Sequence, residues 1–261
     1  MTSLDPSQAE DDSGPAAMAN GDPFAASGKP SAAEASATAA PSARRRWLRR
    51  AAFLAAAILM LPIVLTPIYL VVPPISTLML WSALTGQGMR RDWVAFEAIS
   101  PNLVHAVIMS EDGRFCRHRG VDWTQLDRVM ARQGGPTRGA STIPMQTVKN
   151  LYLWPSRSYI RKGLEIALAY YLDFVWPKRR TIEVYLNIAQ WGPGLFGAEA
   201  AAQTYFGKSA KMLTSREAAL LAAALPNPIL RNPAKPSRAM QAHARIVQHR
   251  AATAEDYIDC L

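Results

Sequence analysis

Cysteine is scarce: Cys116 and Cys260 are the only two in 261 residues. That is too few for a disulfide framework and gives no metal-ligand spacing, and it leaves either one bridge or two free thiols. The four histidines, His105, His118, His243 and His249, form no HExxH pair, so a zinc-protease motif is missing. No GxSxG is present, hence no nucleophile elbow for a triad hydrolase. A Walker loop and a dinucleotide fingerprint are also absent. No internal repeat is visible. Charge is missing over one long stretch: no Asp, Glu, Lys or Arg occurs from Ala51 to Met89.

The charge that is present is unevenly placed. Residues 1–43 carry six acids and one lysine among Ala, Ser and Pro, a composition too poor in apolar groups to fold, and the segment reads as a disordered tail. The stretch "RRRWLRR", residues 44–50, holds five arginines. The formal charge of the whole chain is +9, and residues 90–261 are strongly basic by themselves. A basic domain suits anionic partners such as nucleic acid, lipid headgroups or phosphorylated substrates.

"AAFLAAAILMLPIVLTPIYLVV", from Ala51 to Val72, is free of charge. At ~1.5 Å per residue it would span roughly 33 Å, about the thickness of a bilayer core. Pro62 and Pro67 are tolerated in membrane helices. A cleaved signal peptide fits less well, because the run is long and begins far from Met1; a buried soluble helix is the other alternative. Five arginines before the span outnumber Arg90 and Arg91 after it, which predicts a cytoplasmic N-terminus and a domain beyond the membrane. Pro73-Pro74 should end the span, and the apolar "ISTLMLWSALTG" within the membrane-proximal stretch 73–89 either lies at the bilayer interface or joins the core.

From residue 90 to 261 the pattern is helical, without a convincing sheet, and predicts a mainly α domain. Ser100-Pro101 is a helix start, with serine at the N-cap and proline at the first helical position. Val104, Val107, Ile108 and Glu111 then fall on one stripe. Glu111 therefore sits at the C-terminal end of an apolar face, where desolvation and the negative helix end would raise its pKa. That suits a general base, although a solvated acid at a helix end has the same local signature. "GGPTRGAS", residues 134–141, reads as a loop. Beyond it Thr142, Gln146, Lys149 and Asn150 recur at helical spacing, with Pro144 acceptable only in the first turn. Ser158 could cap a following helix on which Arg161, Lys162 and Glu165 share one face, either as a surface ion pair or as a functional cluster. Glu183 and Asn187 share a face of the next helix, and Thr214 or Ser215 should cap the amphipathic one after it. Carboxylates suit glycosyl chemistry, and cations beside them suit a phosphate leaving group.

Five ordered blocks carry a more specific signal: "SEDGRFCRHRGVD", "RGASTIPMQTVKN", "RKGLE", "KRRTIEVYLNIAQWGPGLFGAEAAAQTYFGK" and "LTSREAALLAAALPNP". Over about residues 95–235 the chain resembles the peptidoglycan glycosyltransferases, most closely the monofunctional biosynthetic transglycosylases. The resemblance implies a lysozyme-like α-helical lobe with a small membrane-embedded hydrophobic lobe, preceded by one transmembrane helix of the bacterial inner membrane. It implies polymerisation of lipid II into β-1,4 glycan with release of undecaprenyl pyrophosphate, on the periplasmic side, in cell-wall biogenesis. Glu111 would be the base for the acceptor hydroxyl. Arg161, Lys162 and Glu165 would form a second centre at the pyrophosphate, with Glu165 orienting it or helping to hold a divalent ion (Mg2+ or Mn2+); no cofactor is obligatory. Asp112, Phe115 and His118 would shape the pocket. Thr142, Gln146, Lys149 and Asn150 match substrate-contacting positions, and Arg157 is a further phosphate ligand. The partners implied are lipid II, the growing glycan, the membrane and wall-synthesis or cell-division proteins, with no nucleic acid.

Two departures stand out. Pro144 and Met145 replace the second Thr and first Gln of the usual STxTQQ, which predicts altered packing around a retained Gln146. Cys116 has no counterpart function. Two rival readings are a lytic enzyme, which would have no use for the Arg161-Lys162 pair, and an inert scaffold, which would have no use for intact acids at both centres.

Overall fold

The computed structural model describes residues 43–131, 141–155 and 158–261. The acidic tail, the loop 134–141 apart from Ser141, and Arg157 lie outside the described residues. Packing divides the chain into Met1–Arg46 and a larger unit, Trp47–Leu261.

Helix α1, Ala43–Ile68, is long and apolar enough to cross a membrane, and its apolar stretch is almost wholly exposed. It ends four residues before Val72, the expected end of the span, and local causes are plain. Pro67 has no N–H to give to the Ile63 carbonyl, and the Tyr171 hydroxyl donates to it instead at 2.8 Å. Beyond Ile68 the Arg180 guanidinium takes the carbonyls of Tyr69 (2.7 and 3.0 Å) and Val72 (3.2 Å), which holds the chain in a turn. Trp176, fully sequestered, donates its indole N–H to the Thr66 carbonyl at 2.7 Å. The end of α1 is thereby fastened to the helices that follow.

Next comes α2, Thr77–Leu84, capped by the Ser76 hydroxyl, which accepts from Met79 N at 3.1 Å. The stretch joins the core through Met79, which is fully buried, while Leu80, Trp81 and Leu84 are exposed.

The remaining α-helices are α3 (Pro101–Glu111), α4 (Trp123–Met130), α5 (Ile143–Tyr152), α6 (Tyr159–Val175), α7 (Lys178–Ile188), α8 (Ala198–Phe206), α9 (Ser215–Ala224) and α10 (Arg238–Ala251). Among the described residues the architecture is mainly α. A small sheet was not foreseen: β1 (Arg90–Arg91), β2 (Gln190–Gly192) and β3 (Leu195–Phe196) in the order β1-β3-β2, parallel then antiparallel. Arg90 pairs with Leu195 and Gln190 with Phe196. Gly194 makes the hairpin, at φ +62°, where a Cβ would lie 2.2 Å from the Gln87 carbonyl.

Two apolar clusters form the core. One joins α3, α9 and α10 through Leu103, Val107, Leu221, Ala222 and Val247. The other joins α5, α6 and α7 through Met145, Val148, Leu172 and Ile188, with Met79 from α2. The second block's departure has its reason here. Met145 replaces a polar residue at a position that faces this core, and Pro144 occupies the first turn of α5, where no helical N–H is lost.

Capping follows the sequence only in part. Thr214 and Glu217 make a reciprocal capping box at α9. Ser100 stands at the N-cap of α3, but its hydroxyl makes no cap and donates to the Leu213 carbonyl at 3.0 Å. Ser158 at α6 likewise makes no side-chain cap.

Candidate active site

Helix α3 ends on Glu111, and the next residue organises what surrounds it. Asp112 is 3% exposed. Its carboxylate accepts from Ile143 N at 2.9 Å, the first residue of α5, and lies 2.9 and 3.0 Å from His118 Nε2. An acid at a helix N-terminus is favoured by the dipole and satisfies an otherwise unpaired N–H. Asp112 thus locks the start of α5 beside the end of α3.

That docking sets Gln146, one turn into α5, against Glu111. Gln146 Nε2 donates to Glu111 Oε2 at 3.0 Å. The Tyr185 hydroxyl, from α7, donates to Gln146 Oε1 at 3.0 Å. Tyr185 is 1% exposed, and burial pushes its phenol well above the ordinary value, so it is a neutral donor. A donor on Oε1 leaves the amide only one orientation, with its NH2 toward Glu111. Sequence reasoning passed over Tyr185; its only signal is a tyrosine within the fourth block. Burial raises the Glu111 carboxyl above its ordinary value. Hydrogen bonds from Gln146 and Ser110 and the charge of Lys149 act against that rise, and Asp112 adds to it.

Phe115 and His118 support this arrangement from behind. Phe115 is fully buried and meets the His118 imidazole edge-on. Lys178 Nζ lies 4.8 Å from the Phe115 ring centroid, donates to the His118 carbonyl at 2.7 Å, and pairs with Asp173 at 2.6 Å. Thr142 is also turned inward, contrary to a substrate-facing role: its hydroxyl donates to the Gly120 carbonyl and accepts from Met145 N at 3.3 Å. It caps α5. In the fourth block Asn187 fastens the segment before α3, accepting from Val94 N at 3.0 Å and donating to Val94 O at 2.9 Å, while Glu183 pairs with Arg180.

The second cluster sits in the first turns of α6. Glu165 is 2% exposed, which excludes a solvated surface pair. Arg161 holds Glu165 Oε1, and Lys162 Nζ lies 3.0 Å from Oε2. Lys162 also donates to the Ser141 hydroxyl at 2.7 Å. Burial, then Arg161 and Lys149, push the Lys162 amine down to about 8, despite its carboxylate neighbour. Burial and Arg161 also lower Lys149, against the pull of Glu111. Arg161 Nε is buried without a partner among the described residues. Lys149, Asn150 and Arg161 line a cleft of about 310 Å³ with Leu78, Leu153 and Trp154.

This set suits an anion better than a cation. Both Glu165 oxygens are held by cations, and no group of three or more His, Cys, Asp or Glu stands together among the described residues. A divalent-ion site on Glu165 does not fit that donor set. Arg157 lies outside the described residues. The cysteine alternatives resolve to one bridge: Cys116 and Cys260 are disulfide-bonded, with Cα atoms 5.6 Å apart.

Comparison with known proteins identifies the family. Residues 79–252 match the Transglycosylase family model. A biosynthetic peptidoglycan transglycosylase from Agrobacterium fabrum is 54% identical over 209 residues, covering 78% of this chain and 92% of its own. That of Brucella suis is 57% identical over 205 residues (77% and 92%), and that of Rhizobium meliloti 50% over 225 (84% and 95%). With a family match over most of its length, the chain belongs to the transglycosylase family, as a glycosyltransferase enzyme of mainly helical, lysozyme-like fold.

Proposed function

We propose that the chain polymerises lipid II into β-1,4 glycan for the bacterial cell wall, with inversion at the donor and release of undecaprenyl pyrophosphate. The observation that carries this reading is a half-buried glutamate, tied by Gln146 to Tyr185, beside a separate cluster of cations gathered on the buried Glu165. Glu111 accepts the proton of the acceptor 4-hydroxyl as that oxygen attacks the anomeric carbon of the growing chain. Its desolvated carboxylate is a stronger base than one in water. The C1–O bond to the pyrophosphate breaks, and the departing negative charge is met by Lys149 and by Arg161 and Lys162, the latter two held in place by Glu165 before the reaction begins. Asn150 lines the same cleft and would orient the donor. A lytic enzyme cutting neutral glycosidic bonds would gain nothing from three cations there.

The donor is a lipid, and the anchoring suits it. Helix α1 would span the inner membrane with the five arginines on the cytoplasmic side. Exposed Leu80, Trp81 and Leu84 on α2 and Ile160 and Phe174 on α6 would face the bilayer as the small hydrophobic lobe. A periplasmic location of the domain is supported independently by the Cys116–Cys260 bond, since disulfides persist in oxidising compartments. Wall-synthesis or cell-division proteins are the expected neighbours.

The deciding assay is polymerisation of labelled lipid II by the full chain in detergent, with and without moenomycin. Wild type should make moenomycin-sensitive polymer, and Glu111→Gln should make none while still binding the inhibitor. Polymer formed by the Gln variant at the wild-type rate would remove Glu111 as base. Fragments released from preformed glycan would replace synthesis with lysis.

A further inference from the structure

Several cations of the domain are matched to acids: Arg114 meets Asp122, Lys178 meets Asp173, Arg179 meets Glu97, Arg180 meets Glu183 and Lys208 meets Glu217. The α9–α10 region departs from that pattern. From Ser215 to Ala251 the chain has six Arg or Lys and a single acid, Glu217. That acid is engaged elsewhere, because it pairs with Lys208 and closes the Thr214 capping box. Arg216 and Arg245 are both exposed, and neither side chain has an acid or a hydrogen-bond partner among the described residues. Burial, then Arg231 and Arg250, hold the His243 imidazole of α10 below its ordinary value, so positive charge is in excess on this part of the domain.

The two arginines are brought together. Gln241, Ala244, Arg245 and Gln248 recur at i, i+3, i+4 and i+7 and share one face of α10, as Arg216 and Leu220 share one face of α9. Those faces line a single groove of about 310 Å³. Leu220 and Ala244 are buried and give it an apolar part, while two guanidinium groups and two amides give it polar walls. Gln241 donates one N–H to the Pro236 carbonyl at 3.0 Å, and its oxygen and second N–H remain for a ligand. This lining suits a ligand of mixed character. A bare phosphate would use the guanidinium groups alone. A short peptide that carries carboxylates uses the whole groove: guanidinium forks take the carboxylates, amides take the peptide groups, and the apolar part takes small side chains. A bilayer surface fits less well. The chain from α1 through α2 packs by Tyr69, Leu70 and Met79 onto the α5–α6–α7 cluster, whereas α9 and α10 belong to the other cluster.

We propose that the groove between α9 and α10 docks the acidic stem peptides of the glycan strand that the enzyme makes, with Arg216 and Arg245 on their carboxylates. The inference rests on the polymerising reading above, whose product carries on alternate sugars a short alanine-containing peptide with free carboxylates. A strand presents many such peptides, so a weak contact is repeated along it: when one peptide leaves the groove, the next is held nearby at high effective concentration. Product is thereby retained without any demand on the pyrophosphate cleft, since no residue that lines the groove lines that cleft.

The test uses full-length protein in detergent, with moenomycin present to occupy the candidate active site. Fluorescence anisotropy follows labelled, soluble glycan strands that keep their peptides, and the same strands after an amidase has removed them. The double variant Arg216→Glu/Arg245→Glu is measured beside wild type. Arg128→Glu, an exposed arginine on α4, is the control for charge alone. Circular dichroism checks folding, and Arg216→Gln/Arg245→Gln takes the place of the reversal if that variant does not fold. The double variant should bind peptide-bearing strands about tenfold more weakly than wild type, because two charge-assisted contacts are lost at every docked peptide. Arg128→Glu should stay within about twofold, as expected for a single exposed charge outside the groove. Removing the peptides should weaken wild-type binding as much as the double variant does, and added salt should weaken it too. Equal binding of stripped strands would overturn the proposal, as would a double variant that binds like wild type or a control that loses as much. Polyglutamate or phosphatidylglycerol vesicles bound as tightly through the same two arginines would also overturn it, in favour of an acidic protein or a lipid surface. Wild type that makes polymer but binds no strand removes the groove alone. Wild type that binds peptide-bearing strands but makes no polymer removes the synthesis reading and leaves the groove as a glycan-peptide site.

Discussion

Replacing Gln146 by methionine isolates the step by which the protein tunes its candidate base. The side chains are similar in length, but methionine donates nothing to Glu111 Oε2, where the amide now donates at 3.0 Å. A hydrogen bond to a charged group contributes ~1.5–3 kcal/mol, and a tenfold change in an ionisation equilibrium is ~1.4 kcal/mol. The sign follows from what is lost. The amide stabilises the charged carboxylate, so its removal favours the protonated form, and the residual burial pushes the same way. Asp112 opposes ionisation and Lys149 favours it, and neither is altered. A base must be unprotonated to act. The acid limb of kcat/KM against pH should therefore move to higher pH by about one unit, after allowing for water that partly replaces the amide. At a pH below the wild-type limb the variant should be slower by about tenfold, with the gap closing at alkaline pH. The assay is the initial rate of fluorescent lipid II polymerisation from pH 5 to 9, at substrate well below KM. A uniform loss with the limb unmoved would refute the reasoning and make Gln146 a substrate ligand only. A limb displaced to lower pH would refute it outright.

Two further outcomes are expected from neighbouring groups. Tyr185→Phe removes the hydroxyl that fixes the Gln146 amide and should shift the acid limb in the same direction by a smaller amount; an amide still locked toward Glu111, read as an unmoved limb, would count against the relay. Lys162, held down at about 8, loses its charge as pH rises through that value, so the free enzyme should show a basic limb in kcat/KM there. Lys162→Arg, whose guanidinium stays charged, should carry that limb to higher pH, and a limb that stays in place would assign it to another group.

The sequence made some of this visible and concealed the rest for identifiable reasons. The stripe from Val104 to Glu111 depends on spacing within one helix, and α3 forms over those residues with Val104, Val107 and Ile108 buried. Helix starts were legible for the same reason, yet the Ser100 hydroxyl reaches Leu213, a tertiary contact that outcompetes the cap and has no local signature. The three sheet strands are two or three residues long, too short for alternation to register. Arg161, Lys162 and Glu165 had the spacing of a surface ion pair; the burial of Glu165 comes from packing between α5 and α6, which no window of one helix contains. Tyr185 meets Gln146 across 39 positions and Cys116 meets Cys260 across 144, and neither separation has a period to detect. Thr142 was assigned by likeness of motif, and its hydroxyl proves to be occupied within the protein.

Under the proposed roles, the two clusters are not electrically independent, because Lys149 acts on both. Its charge favours ionised Glu111, and it is itself disfavoured by Arg161 and by burial. An empty site is therefore crowded with like charge on the cation side, a cost that the fold sustains. A bound pyrophosphate relieves it: the anion offsets the charges of all three side chains, and Lys162 and Lys149 are more firmly protonated with it than without. The same anion cancels the help that Lys149 gives to the Glu111 carboxylate, which leaves that carboxylate more basic once a donor is in place. Base strength at the acceptor end would then rise with occupancy of the donor end, without any movement of the chain. That coupling requires Lys149 to keep its charge between the two clusters; a neutral side chain there would leave each centre formed and the link between them broken.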